Sequence, residues 1–393
     1  TVVGDEAGTA ITTGDYNTAV GKSAGTAVTT GVQNTLIGGL AGDAFTTGVN
    51  NVALGFEALS TDTLGQQNTA IGTRALKTQN FTSATDSYNT AVGYAAGTAV
   101  TTGIQNTLIG GLSGDAITTG DNNTAVGLSA LGANTTGANN TVVGALAGDA
   151  LTTASYNVVL GYEALTVDTL GGNSVAIGAF ALRDQNFTSA TNAYNVAVGY
   201  EAGGSITTGV NNTFVGGLVG DANTTASNNT ALGYASLGAN TTGTRNVAVG
   251  ATALAAATTA DNNTAVGYEA LNDVTTGNNN TAMGDRAGDK VTTGTQNTAI
   301  GASALGTTTT GDYNTAIGYA ALDANTTADN NVAVGRSALE VNTTGAGNVA
   351  VGTFTLDANT TGATNVAVGY AALSANTTAA NNTAIGRGAL QLN

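Results

Sequence analysis

Asn89-Thr90-Ala91-Val92-Gly93-Tyr94-Ala95-Ala96 is one copy of a phrase that recurs along the whole 393-residue chain. The glycine of the phrase returns at every seventeenth position, and only the steps from Gly72 to Gly93 and from Gly178 to Gly199 are longer, each by four positions. The sequence holds 23 such phrases. Self-similarity at a fixed period is typical of repeat architectures, in which a chain gains length without gaining domains. We therefore predict one continuous β-solenoid repeat region over residues 1–393.

The first five positions of the phrase predict a short β-strand between two turn residues. We number each repeat from its opening asparagine, which is position 0. Position +1 is Thr or Val, +2 is mostly Ala, +3 is aliphatic and +4 is Gly. Side chains alternate along a strand, so +1 and +3 face one way and +2 the other. Stacking gives a parallel β-roll of about 23 coils, roughly 110 Å long at ~4.8 Å per coil. A second, weaker strand is expected at +7 to +12.

The interior of so small a coil must be thin. Ala at +2 and +7 and Leu at +8 suit it, and one pocket per coil is expected to be filled from either +8 or +11. Where +8 is Gly, +11 is usually apolar, as in Gly114 and Ile117. Where +8 is Leu, +11 is often Asn, as in Leu131 and Asn134. Gly220 with Asn223 breaks this rule, which predicts an underpacked coil.

The asparagine at position 0 is predicted to form a stacked amide ladder, since each amide can donate to and accept from its neighbours one coil away. A polar column on the surface is the alternative interpretation. The first residues of the predicted ladder are Asn17, Asn34, Asn51, Asn68, Asn89, Asn106 and Asn123.

The aliphatic residues at +3 form a stripe on the outside of the predicted roll. So long an apolar patch is unusual on a monomer, and covering it is worth on the order of tens of kcal/mol at ~25 cal/mol per Å2. We therefore expect a homo-oligomer, with a cyclic trimer favoured. Neither end carries a polar capping repeat, so we expect either that caps lie outside this segment or that subunits stack end to end into a filament. The seam begins with Val20, Ile37, Leu54, Ile71, Val92, Ile109 and Val126.

Two four-residue insertions lengthen the repeat, near residues 77–88 and 183–194. They share the sequence Gln-Asn-Phe-Thr-Ser-Ala-Thr, which starts at Gln79 and again six repeats later at Gln185, and this indicates that a block of six repeats was duplicated. Loops on a rigid scaffold often carry binding residues. The loops around Phe81 and Phe187 are therefore candidate recognition loops, and an insertion without a role is the alternative.

Composition excludes several kinds of function. The chain has no His and no Cys, so the usual zinc, copper and iron ligands and a Ser/His/Asp triad are missing. The net charge of −16 argues against nucleic acid and anionic membranes as partners. No apolar run reaches the ~18 residues that span a bilayer. We expect a protein that is not an enzyme, binds no cofactor or metal and inserts no part of this segment into a membrane.

Three further columns allow more than one interpretation. All 12 tyrosines fall at +5 or +16, where packing at the strand ends is favoured over an aromatic surface for glycans. Asp recurs at +9, and a solvated turn is favoured over a calcium site because the known calcium-binding nonapeptide is absent. The Thr-Thr pair at +12 and +13 raises the hypothesis of an ice-binding face.

Asn173-Ser174-Val175-Ala176-Ile177-Gly178 resembles the head repeats of YadA-like trimeric autotransporter adhesins. The longer phrase that starts at Asn365 is similar to 17-residue repeats of bacterial and phage tail-fibre-type proteins. This resemblance implies a left-handed, homotrimeric β-roll at a cell surface or on a virion, with a cell-surface or glycan receptor. The expected function is the rod of an extracellular fibre, filament or adhesin that mediates attachment or assembly. A phage tail-fibre shaft and an ice-binding solenoid are the alternatives.

Overall fold

The computed structural model describes residues 1–392, and the chain forms two compact units, Thr1–Asn195 and Val196–Asn393. Each unit is a parallel β-solenoid that contributes one short strand per turn at positions +1 to +3, and together they contain 23 such strands. The prediction of an all-β, parallel β-solenoid of about 23 turns is thereby confirmed, while the left hand and the homotrimer stay predictions. Residues 1–392 contain no helix, and so none that could cross a bilayer. That the turns form one uninterrupted solenoid stays a prediction.

The first unit has eleven strands at positions +1 to +3 and four two-residue strands at the insertions. They are β1 (Val2–Val3), β2 (Thr18–Val20), β3 (Thr35–Ile37), β4 (Val52–Leu54), β5 (Gly65–Gln66), β6 (Thr69–Ile71), β7 (Thr85–Asp86), β8 (Thr90–Val92), β9 (Thr107–Ile109), β10 (Thr124–Val126), β11 (Thr141–Val143), β12 (Val158–Leu160), β13 (Gly171–Gly172), β14 (Val175–Ile177) and β15 (Thr191–Asn192).

The second unit has twelve strands, all at positions +1 to +3. They are β16 (Val196–Val198), β17 (Thr213–Val215), β18 (Thr230–Leu232), β19 (Val247–Val249), β20 (Thr264–Val266), β21 (Thr281–Met283), β22 (Thr298–Ile300), β23 (Thr315–Ile317), β24 (Val332–Val334), β25 (Val349–Val351), β26 (Val366–Val368) and β27 (Thr383–Ile385).

Equivalent positions of successive turns pair with one another. In β2 and β3, Val20 pairs with Ile37, the same position one turn later. Across the first insertion Ile71 still pairs with Val92, its equivalent in the next turn, so the extra residues loop out and the register is kept. A slip of one residue would turn every buried +2 side chain outward, which is why register is strongly specified here.

The core of each turn comes from the positions that the sequence indicated. The middle residue of each three-residue strand is buried and the residues on either side are partly or fully exposed. Ala at +7 and Leu at +8 are buried as well, as at Ala58 and Leu59. The interior is therefore a narrow column of small and aliphatic side chains.

The second strand expected at +7 to +12 is absent from the described turns, and that expectation was wrong. Positions +6 and +8 have left-handed backbone, for example Glu57 at φ 58° and Leu59 at φ 50°. Left-handed residues cannot continue an extended strand. The segment still stacks on the next turn, since the Gly97 amide donates to the Ser113 carbonyl at 3.0 Å and the Ala99 amide to Asp115 at 3.1 Å.

The turn with Gly220 and Asn223 is not underpacked, so the underpacked coil predicted from the residues at +8 and +11 was wrong. Phe214, at position +2, is fully buried. A methyl group added to Gly220 would lie 2.6 Å from Cε2 of that ring. The space left by Gly220 is therefore filled from +2, a third source that the rule based on +8 and +11 did not include.

Candidate functional site

The position-0 asparagines are buried and linked from turn to turn. Oδ1 of Asn17 accepts hydrogen bonds from the backbone amide of Asn34 at 3.0 Å and from its Nδ2 at 3.1 Å. The same Nδ2 of Asn34 donates to the Gly48 carbonyl of its own turn at 2.8 Å. The pattern repeats at Asn51 and at Asn123. A side chain with this pattern closes its own turn and fastens it to the preceding one. The pattern has exceptions: Asn89 Nδ2 donates to Gln79 Oε1 in place of Asn68, and Asn331 Nδ2 is buried without a hydrogen-bond partner.

The seam residues lie in one column along the outer face of the sheet in the first unit. Leu54 pairs with Ile71, and Ile71 with Val92. Leu54 is 40% exposed and Ile109 is 39% exposed, and the remaining seam residues from Val20 to Val126 are partly exposed. From Val20 to Val126 the column is therefore at least partly accessible on a single chain.

Phe81 and Phe187 point into the molecule, and each is only 6% exposed. The surface of each insertion loop is formed instead by the three residues that follow, 82–84 and 188–190. The two phenyl rings therefore anchor the loops, and a receptor would meet other residues of the loops.

Each loop is fastened by a buried aspartate that sequence reasoning missed. In the first loop, Asp62 Oδ2 accepts from Gln79 Nε2 at 2.6 Å, and Oδ1 accepts from the amides of Gly65 at 2.9 Å and Phe81 at 3.4 Å. Gln79 Oε1 in turn accepts from Asn89 Nδ2 at 2.8 Å, which joins the loop to the asparagine ladder.

The second loop repeats this network. Asp168 accepts from Gln185 Nε2 at 2.6 Å and from the amides of Gly171 and Phe187 at 3.0 and 3.2 Å. Gln185 Oε1 accepts from Asn195 Nδ2 at 2.8 Å. The sequence signal was available: position +11 is Asp and then Gln on the two successive turns at each insertion.

Burial governs the protonation of these carboxyl groups. Desolvation raises the pKa of Asp62 and of Asp168 above the ordinary value, although the hydrogen bonds from Gln79 and Gln185 oppose it. Desolvation also raises the pKa of the half-buried aspartates at +9, which are Asp43, Asp115, Asp149, Asp221, Asp289, Asp323 and Asp357.

These raised pKa values predict that mild acid stabilises the fold. Between the lower pKa of the unfolded chain and the higher pKa of the folded chain, the folded chain binds more protons. The stabilisation that these carboxyl groups contribute is complete below their pKa in the unfolded chain. It is lost as the pH rises through their higher pKa in the folded chain. We expect the free energy of unfolding in denaturant to increase as the pH falls from 7 towards 4.

The double variant Asp62→Asn with Asp168→Asn tests the origin of this effect, since it removes the two buried titrating groups. It should reduce the pH dependence in part, because the seven aspartates at +9 remain, while Asp15→Asn, which removes a charge from an exposed position, should leave it unchanged. Stability that falls steadily on acidification of the unmodified chain would contradict the prediction.

The tyrosines lie at the surface, which goes against the packing at strand ends that the sequence favoured, although Tyr162 packs edge to face on Phe180 and Tyr370 on Phe354, with ring centroids 5.5 and 6.1 Å apart. All 12 are exposed, between 49% and 86%. Two of them, Tyr156 and Tyr194, border a cavity of about 470 Å3 at the second insertion loop. The aromatic surface that was the alternative interpretation is thus present on the isolated chain.

The two threonines of the Thr-Thr pair, at +12 and +13, have different roles. The hydroxyl at +12 donates to the backbone of the next turn, as from Thr29 Oγ1 to the Thr46 carbonyl at 3.1 Å. The +13 residue is exposed, as Thr30 is, but Leu64 and Leu170 interrupt that column. On most turns one threonine hydroxyl is therefore already bonded to backbone, and Asn80 and Asn186 replace that threonine in the insertion turns. Among residues 1–392, no three His, Cys, Asp or Glu side chains cluster as metal ligands would.

The described geometry defines a class, the parallel β-solenoid repeat proteins. The sequence matches no protein-family model and no curated protein.

Proposed function

We propose that this chain forms the non-enzymatic rod of an extracellular fibre, filament or adhesin, assembled as a left-handed homotrimer at a cell surface or on a virion. The observation that supports it most is the aliphatic column at +3, which runs in register along the outer face of each unit. The resemblance of Asn173–Gly178 to trimeric adhesin head repeats supports the trimer and the hand. The same features fit the shaft of a phage tail fibre.

The energetics favour covering this column. Fully burying one Val, Leu or Ile side chain is worth about 1.5–3 kcal/mol relative to leaving it exposed. The +3 residues are only partly exposed, so each would gain a fraction of that, but the gain is repeated on every turn. Copies of the same column on identical chains are complementary to one another along their length. A cyclic assembly closes the interface without leaving a column uncovered.

A rod also needs turns that resist separation. Within each unit, successive turns are joined by strand pairing, by the asparagine ladder and, on most turns, by the +12 threonine hydroxyls. All these bonds run from turn to turn, along the direction in which a fibre is loaded. The proposed mechanical role therefore follows from repetition of one bonded unit.

The mass of the chain in solution tests the assembly. We expect light scattering coupled to size exclusion to give about three times 38.0 kDa. The triple variant Leu54→Glu, Ile109→Glu and Leu160→Glu places charges in the seam and should lower the mass to that of one chain. Buried unpaired charge is strongly unfavourable at an interface.

The matched control is Thr102→Glu, Thr119→Glu and Thr136→Glu, which adds the same charges at exposed +13 positions of the same unit. Its mass should equal that of the unmodified chain. An unmodified chain that is a monodisperse monomer would refute the shared seam. Open-ended assemblies of increasing mass would instead indicate end-to-end polymerisation.

A further inference from the structure

The cavity at the second insertion loop has the form of a ligand site. Its volume of about 470 Å3 falls within the ~300–1,000 Å3 typical of small-molecule sites. Gly172, which is buried, and Leu170, which is partly exposed, are among its lining residues. Tyr156 and Tyr194, which are 61% and 54% exposed, also line it.

The residues that line this cavity carry no charge, in a chain whose net charge is −16. Besides the two tyrosine hydroxyls, their polar side chains are amides and hydroxyls, from Thr153, Ser155, Asn173, Thr191 and Asn192. Asn173 Nδ2 donates to Asn192 Oδ1 at 2.9 Å, which leaves Asn173 Oδ1 to accept and Asn192 Nδ2 to donate. The pair thus holds itself in place and keeps one acceptor and one donor for a ligand.

We infer that this cavity binds a neutral saccharide. Sugar rings have apolar C–H faces that stack on exposed aromatic rings, and their hydroxyls both donate and accept, as amides and threonine hydroxyls do. A nucleic acid or a sulfated glycan needs cations that the lining does not contain. The inference deepens the proposed function, on which it rests for its biological purpose, because it names the class of receptor that an attachment fibre would hold.

The first insertion loop is an internal comparison, six repeats earlier in the duplicated block. There Asn50 stands in place of Tyr156, Gln66 in place of Gly172 and Asp86 in place of Asn192. The first copy therefore has a single tyrosine, Tyr88, a side chain where the second has none, and an acidic residue. The differences fall on the residues that give the second loop its cavity, its aromatic pair and its neutrality.

Gly172 lies close to the neighbouring backbone, since a methyl group added to it would lie 2.9 Å from the Ser155 carbonyl oxygen. Because the first loop lacks the second tyrosine and carries Asp86, the site is assigned to the second loop alone.

The test uses the full chain on a glycan array that carries neutral, sialylated and sulfated glycans. Saturation-transfer NMR with free glucose, galactose, mannose, fucose and N-acetylglucosamine follows. We expect binding to neutral glycans. Tyr156→Asn copies the residue of the first loop and Tyr194→Ala removes the second ring, and each should weaken binding about tenfold or more, as loss of a tyrosine anchor does. Tyr88→Ala in the first loop is the matched control and should bind like the unmodified chain.

Several outcomes would overturn the inference: no glycan binding, binding confined to sialylated or sulfated glycans, binding that survives Tyr156→Asn and Tyr194→Ala, or equal loss with Tyr88→Ala. The light-scattering mass of every protein separates this result from the proposed function. A trimer that binds no neutral glycan would overturn the saccharide site and leave the fibre. A monomer that binds a neutral glycan through Tyr156 would overturn the trimeric fibre and leave the saccharide site.

Discussion

Replacing Gly110 with alanine is expected to unfold the turns around it. Gly110 occupies position +4 at φ 137°, a conformation that residues with a side chain rarely adopt. An added methyl group would overlap the carbonyl oxygen of Gly127, the equivalent glycine one turn later. Neither backbone can move without breaking the strand pairing beside it. Backbone strain is among the causes of the largest destabilisations by single substitutions. We expect the free energy of unfolding to fall by roughly 4 kcal/mol or more.

Gly111→Ala is the control for this prediction, since the two glycines are adjacent. Gly111 does not have the left-handed backbone of Gly110, and the nearest atom to an added methyl group is Leu128 Cδ1 at 3.6 Å. Its effect should stay within about 0.5 kcal/mol. Hydrogen exchange is the suitable measurement, because a solenoid opens locally. Equal protection of the turns around residue 110 in both variants would contradict the account of the glycine column.

Replacing Asn123 with alanine is expected to have the second largest effect. Its side chain makes four hydrogen bonds: Nδ2 donates to Asn106 Oδ1 at 3.2 Å and to the Gly137 carbonyl at 2.9 Å, and Oδ1 accepts from the backbone amide and Nδ2 of Asn140, both at 3.1 Å. Alanine leaves the Gly137 carbonyl and the Asn140 amide buried without these partners. Each of these two buried groups without a hydrogen-bond partner costs about 1–3 kcal/mol, so the free energy of unfolding should fall by roughly 2–6 kcal/mol.

Thr136→Ala is the matched control in the same turn, since Thr136 is exposed at +13. We expect it to change the free energy of unfolding by less than about 0.5 kcal/mol. Both variants can be followed by denaturant unfolding and by exchange of the Asn140 amide, which should lose protection in Asn123→Ala only. An amide that stays protected would show that the ladder is dispensable for joining the turns.

The insertion loops show which structural features the residue pattern predicts and which it does not. Their position, their duplication and their candidacy as recognition loops were all available from the sequence. The burial of Phe81 and Phe187 was not, because it depends on Asp62 and Asp168, which belong to the preceding turn and reach the loop only when the turns stack. The cavity beside the second loop depends in the same way on residues from more than one turn.

The sequence by itself determined the period, the strand at +1 to +3, the inward side of that strand and the small side chains inside it. These follow from local rules, since alternation and the period depend only on spacing along the chain. The tertiary structure alone decided the conformation of the segment from +6 to +11. Leucine gives no local signal of left-handed backbone, yet Leu59 adopts it because its side chain is then buried inside the stacked turn. Which atom fills a gap is likewise settled by packing inside the stacked turns, and so Phe214 packs where Gly220 leaves room.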